Sequence, residues 1–169
     1  MLLAPGQIRY LYLNCGVVAL KVIFLDIDGV LNSEKYIRRC GRYGVVIDPT
    51  RMVLLKQIVD QTNAKIVLSS SWREHWSKDA KASDSVGKEL DAVFNKYGLT
   101  IFDKTDEFSR REVEIEAWLM MHPKTLAFVV LDDRFLDSPV LRGHVVKTSN
   151  YVDGLDEAGV QKAINILNS

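Results

Sequence analysis

Short apolar runs recur along this chain, and several end abruptly in acidic or hydroxyl residues. Residues 21–25 are nearly all apolar and rich in β-branched and aromatic side chains, which predicts a buried strand ending at Asp26. Residues 32–46 are polar and basic, with Gly41 and Gly44, and read as a flap or loop. Asp48-Pro49-Thr50 starts a helix through about residue 62, with Val53, Leu54, Ile58 and Val59 on one face. Residues 65–68 form a second buried strand, closed by Ser69-Ser70-Ser71. A polar stretch leads to a helix at about 86–97, stopped at Gly98, and then to a short third strand at 99–102. Residues 110–121 predict a helix with Ile115, Trp118 and Leu119 inward, and Pro123 ends it. A fourth strand, 126–131, runs into Asp132-Asp133, and a fifth covers 144–147. Asp156 caps a last helix carrying Val160, Ile164 and Leu167.

Strands alternating with helices imply an α/β domain, a parallel sheet of about five strands covered by helices on both faces. The expected organisation is one Rossmann-like three-layer domain over residues 21–169. It is preceded by an extension at 1–20, in which the weak alternation of residues 8–13 fits an edge strand. No repeat or linker interrupts it. The apolar run 17–25 is broken by Lys21 and is too short to span a bilayer, so no membrane association is expected.

Composition narrows the picture further. The chain has 169 residues, 47% hydrophobic and 26% charged, enough to bury a full core without disulfides. Its 22 basic and 22 acidic residues cancel, so no global field draws it to a polyanion. Cys15 and Cys40 lack the spacing of a zinc site, Cys15 reads as a small buried hydrophobe, and the composition suits a reducing cytoplasm.

Candidate chemistry collects where the predicted strands end. In a doubly wound sheet those ends share one edge, where ligands bind. Asp26 and Asp28, two apart at a strand end, face the same side, and Gly29 permits a sharp turn. Asp-Gly between apolar runs is also a hairpin signal. Ser69 and Ser70 can donate to a phosphoryl oxygen, or one of them can simply cap a helix near Trp72. Trp72 and Trp76 read as packing residues, and Arg73 and His75 as solvent-facing. Asp132-Asp133 alone reads as a solvated turn; beside Asp26 and Asp28 it makes a cluster of acids. Two like charges about 4 Å apart repel by roughly 4 kcal/mol at an effective dielectric of about 20, so such a cluster calls for a cation. Hard oxygen donors suit Mg²⁺. Lys104, Arg110 and Arg111 are the candidates to neutralise a transferring group.

At this point the sequence resembles the haloacid dehalogenase superfamily of phosphatases. Residues 22–32, Val-Ile-Phe-Leu-Asp-Ile-Asp-Gly-Val-Leu-Asn, are similar to its first motif, DxDGxL. Ile66-Val67-Leu68-Ser69 resembles the second motif, Arg111 sits where the family places its Lys or Arg, and Val130-Leu131-Asp132-Asp133 resembles the acidic fourth motif. Ser71-Trp72-Arg73 and the short length resemble the small branch found in RNA-repair proteins. The resemblance implies that Asp26 attacks phosphorus and forms an aspartyl phosphate, while Asp28 serves as acid and base. It also implies Mg²⁺ on Asp26, the Asp28 carbonyl and Asp132 or Asp133, with Ser69 (Ser70 as the fallback), Gly29 and Arg111 at the phosphate. An acid at position 28 favours phosphate-ester hydrolysis or phosphotransfer over dehalogenation.

The expected function is therefore Mg²⁺-dependent phosphomonoester hydrolysis. The alternatives are phosphotransfer and a non-catalytic binding module of the same fold. Only a minimal cap fits between Asp28 and Thr50, so the open site admits either a small phosphorylated molecule or a nucleic-acid end. Lys35, Arg38, Arg39 and Arg42 in the flap are candidates for backbone contacts, or a solvated basic loop. Nothing in the sequence bears on oligomeric state.

Overall fold

The computed structural model describes residues 20–41, 44–108 and 110–169. The expected edge strand at 8–13, Cys15 and Arg42 lie outside the described residues. Among these residues five strands form one parallel sheet: β1 (Leu20–Leu25), β2 (Lys65–Leu68), β3 (Ile101–Lys104), β4 (Thr125–Asp132) and β5 (Val145–Lys147). Their order is β3-β2-β1-β4-β5, so β1 is central, and the order reverses beside it.

Among the described residues five helices accompany the sheet: α1 (Glu34–Cys40), α2 (Pro49–Thr62), α3 (Ser85–Lys96), α4 (Arg111–Met121) and α5 (Glu157–Asn168). Residues of α2, α3 and α5 pack with Ile23, Leu25, Ile66, Leu68 and Leu131 on one face. Ile115 and Trp118 of α4 pack with Val22, Phe24, Val67 and Val130 on the other. Successive strand residues point to opposite faces, so both parities of β1 are apolar and fully buried from Val22 to Leu25. This is a three-layer α/β Rossmann-like domain. Among the described residues no helix is long and apolar enough to cross a membrane.

The structure corrects four details. The stretch read as a loop contains α1. Ser33 accepts from the Tyr36 N–H at 3.2 Å, Glu34 pairs with Arg38 at 2.8 Å, and Gly41 closes the helix at φ 57°. This helix buries no residue, so it has no apolar stripe to betray it. In α2, Val53 is exposed, and the inward positions are Met52, Leu54, Leu55, Ile58 and Thr62. β3 begins two residues later than expected, at Ile101. Arg73, read as solvent-facing, is buried.

Candidate active site

The hydrogen-bonding register carries straight past the strand ends. The Asp26 N–H donates to the Leu131 carbonyl at 3.0 Å, and the Ser69 N–H to the Leu25 carbonyl at 3.0 Å. Thr105 and Thr148 continue the row through the carbonyls of Leu68 and Asp132, both at 3.0 Å. Asp26 thus stands mid-row at the sheet's carboxyl edge, between Ser69 and Asp132. Its side chain shares the parity of Phe24, whose face of the sheet is covered by α4.

That parity explains the role of Arg111, the first residue of α4. Its Nη1 lies 2.9 Å from Asp26 Oδ2 and 2.7 Å from Asp132 Oδ2, with all three side chains buried. The second oxygens are also engaged. Asp26 Oδ1 accepts from the Ile27 N–H at 2.9 Å, and Asp132 Oδ1 from the Arg134 N–H at 2.8 Å. Asp133 completes a cluster in which one carboxylate oxygen each from Asp26, Asp132 and Asp133 lie within 4.8 Å of one another.

The charges do not balance inside this cluster. Three carboxylates face one guanidinium, leaving an excess of about two negative charges. Burial is the main cause that pushes the Asp132 pKa up, and repulsion from Asp26 adds to it, against the pull of Arg111 and the Arg134 N–H. Asp133 is raised for the same two reasons. Burial by itself would lower the Arg111 pKa, but Asp26 and Asp132 outweigh it and hold it above its ordinary value. An all-carboxylate donor set with unbalanced negative charge fits a small hard divalent cation.

Gly29 is what lets Asp133 come so close. It has φ 80°, and a Cβ built there would lie 2.5 Å from Asp133 Oδ2. Its N–H donates to Asn32 Oδ1 at 3.1 Å and its carbonyl accepts from Thr148 Oγ1 at 2.6 Å, so the turn after β1 is pinned on both sides.

Asp28 stands outside the acidic cluster and is exposed. Each of its oxygens holds a donor: Asn32 Nδ2 at 2.8 Å on Oδ1, and Trp72 Nε1 at 2.9 Å on Oδ2. Ser69 is fully buried and its hydroxyl has no hydrogen-bond partner among the described residues, and the same holds for Thr105 Oγ1, two strands from Asp26. Ser70 caps a 3₁₀ turn at Ser71–Glu74, its Oγ accepting from the Trp72 N–H at 3.5 Å.

Of the three candidate cations, only Arg111 joins the acids. Lys104 Nζ donates to the carbonyls of Arg73 (2.8 Å) and Trp76 (2.6 Å), and Arg110 precedes α4 with a loose pair to Glu112 at 3.5 Å. Sequence reasoning missed a buried ion pair beneath the site. Arg73 Nη2 meets Glu114 Oε1 at 2.9 Å, while Arg73 Nη1 donates to the Ser69 carbonyl at 3.0 Å. It also missed the contact of Trp72 with Asp28. Glu114, one turn after Arg111, was the available signal: an acid on the inward face of a helix needs a partner.

In the flap, Lys35 faces Asp153 at 3.6 Å, Arg38 pairs with Glu34, and Arg39 lies over the Tyr36 ring. A different basic surface lies beyond Asp133. Arg134, Arg142 and Lys147 line a groove of about 320 Å³ with the exposed Phe135, Asp137 and the buried Leu141. None of these three cations forms an ion pair among the described residues.

No curated protein matches the chain. A family model described as the HAD domain in Swiss Army Knife RNA repair proteins matches residues 22–160, a span that holds all five strand ends and the acidic cluster. The chain belongs to that HAD domain family.

Proposed function

We propose that this domain is a Mg²⁺-dependent phosphomonoester hydrolase working through Asp26, and that its substrate is the phosphorylated end of a nucleic-acid strand. The observation that carries the reading is the buried pairing of Arg111 with both Asp26 and Asp132 beside Asp133. HAD-fold membership supports a phosphatase-type hydrolase in general.

Asp26, Asp132 and Asp133 would hold the cation. Bound there, Mg²⁺ supplies Lewis-acid charge neutralisation for a phosphoryl oxygen. The chain's own groups do the rest. Arg111 holds one Asp26 oxygen at 2.9 Å and so fixes the carboxylate at the strand end. An Asp26 oxygen bonds to phosphorus as the ester P–O bond breaks, and its electron pair leaves with the ester oxygen. Asp28 gives its proton to that oxygen, then takes a proton from the water that splits the aspartyl phosphate. The unpartnered Ser69 hydroxyl is a donor for a phosphoryl oxygen.

The groove of Arg134, Arg142, Lys147 and Phe135 supports the strand-end substrate. Its lining starts at Arg134, the residue after Asp133, and it offers three cations without an ion pair among the described residues and an exposed ring, the combination that suits a phosphate backbone with stacking bases. The paired cations of the flap offer less.

The test is hydrolysis of a chromogenic aryl phosphate and of 5′- and 3′-phosphorylated oligonucleotides with Mg²⁺, beside Asp26→Asn. The expected result is turnover lost on chelation, restored by Mg²⁺ and absent in the variant, with mass spectrometry trapping one phosphoryl group on Asp26. Turnover that survives Asp26→Asn sinks the mechanism. Preference for the aryl ester, unaffected by salt, sinks the strand-end substrate.

A further inference from the structure

Asp28 lies three residues past the end of β1 and outside the acidic cluster. Its carboxylate is held from two other places: Asn32, four residues on, and Trp72, 44 residues away on the turn after β2. Asn32 is itself fixed, because Oδ1 accepts from the Gly29 N–H and Nδ2 also reaches the Val46 carbonyl at 3.1 Å. Trp72 is fixed by the turn that Ser70 caps, whose backbone carbonyls at Ser69 and Ser70 are held by Arg73.

The choice of donors has a chemical consequence. An indole N–H donates and never accepts, and an amide NH₂ does the same. Neither can take a proton from Asp28. A His or Tyr at either place would share the proton and compete with the substrate. Each carboxyl oxygen keeps a second lone pair, so Asp28 can face a substrate oxygen while both donors stay engaged.

We infer that Trp72 is the positioning residue for Asp28: its indole N–H fixes the carboxyl group so that its proton is aimed at the leaving oxygen. The inference rests on the reading of Asp28 as the acid. The ring of Trp72 packs against the core, and its indole N–H bonds Asp28 and no member of the acidic cluster. It sits on the same turn as Ser69, so a single short segment after β2 sets both the phosphate-side hydroxyl and the acid.

A positioning role predicts sensitivity to the leaving group. An aryl oxide departs with little help, whereas an alkoxide needs the proton. Trp72→Phe keeps the ring and removes the N–H. On glycerol 2-phosphate its kcat is expected to fall about tenfold, the size of one hydrogen bond to a charged group. The fall on p-nitrophenyl phosphate is expected to be several times smaller. Asp28→Asn shows the same bias at about 10²–10⁴ on the alkyl ester. The double variant is expected to be no slower than Asp28→Asn, because Trp72 has nothing left to aim.

Equal losses on the two esters, or a double variant slower than Asp28→Asn, would show that Trp72 only supports the fold and would overturn the inference. A bias-free Asp28→Asn instead removes the premise that Asp28 is the acid, and the inference falls with it. A readout that needs no turnover separates the two failures. The Trp72 indole proton resonance is expected to lose its downfield position and exchange protection in Asp28→Ala; an unchanged resonance denies the bond itself, whatever the kinetics.

Discussion

Breaking the Arg73–Glu114 pair should cost the protein a large part of its stability and loosen the site above it. The two side chains are 8% and 4% exposed and meet at 2.9 Å. Glu114 Oε1 also accepts from the Phe108 N–H at 3.0 Å, and Arg73 Nη1 holds the Ser69 and Ser70 carbonyls at 3.0 and 3.4 Å. Glu114→Ala therefore leaves a guanidinium without its countercharge in a dry place and frees a backbone N–H. Removing one partner of a buried ion pair costs about 3–5 kcal/mol. For a domain of this length that lowers Tm by about 6–20 °C. Thermal and urea unfolding of Glu114→Ala, Arg73→Met and the double variant would measure it. The double variant should lose less than the sum of the singles, since neither charge is then stranded. Activity should fall in all three, because Arg73 holds the turn of Ser69 while Glu114 shares α4 with Arg111. A loss below about 1 kcal/mol in both singles would refute the reasoning, because it would mean that water reaches the pair.

Gly29→Ala puts a side chain at φ 80° and drives Asp133 from the cluster. The stability loss should be about 1–2 kcal/mol, and the thermal shift produced by Mg²⁺ should shrink far more; an unchanged shift would free Asp133 of any part in metal binding. Asp84 caps α3, accepting from the N–H groups of Val86 and Gly87 and pairing with His75. Those contacts, the Gly87 N–H first, hold its carboxyl below the ordinary range. A folded pKa below the unfolded one gives stability that is present above the unfolded value and is lost as pH falls through the folded one. The unfolding free-energy difference between wild type and Asp84→Ala should therefore be full at neutral pH and shrink from about pH 5 downward, and a difference that grows on acidification would contradict the cap. Replacing Arg134, Arg142 and Lys147 by Ala should weaken oligonucleotide binding and reduce its log–log salt slope by about two; an unchanged slope would remove the groove from the substrate path.

The strands at the centre of the sheet were legible in the sequence because they are buried on both faces. Residues 22–25 and 66–68 had to be apolar at every position, and the polar residues that follow mark the edge where water or ligand begins. The row that sets Asp26 between Ser69 and Asp132 follows from those endings once the sheet is parallel. α1 was hidden because it buries nothing, and Val53 was misplaced because apolar residues exceed the inward positions of α2.

Local pattern could name the acids at 26, 28, 132 and 133 and the serines at 69 and 70, since each sits where an apolar run stops. It could not say that Arg111 bridges two of those acids, that Lys104 serves carbonyls instead, or that Trp72 reaches Asp28. Backbone periodicity reports only whether a residue faces inward or outward. The partner of a charged or hydrogen-bonding side chain comes from another element, here 21 to 85 residues away, and only the packing of α4 and the β2 turn against the sheet decides which partner it meets.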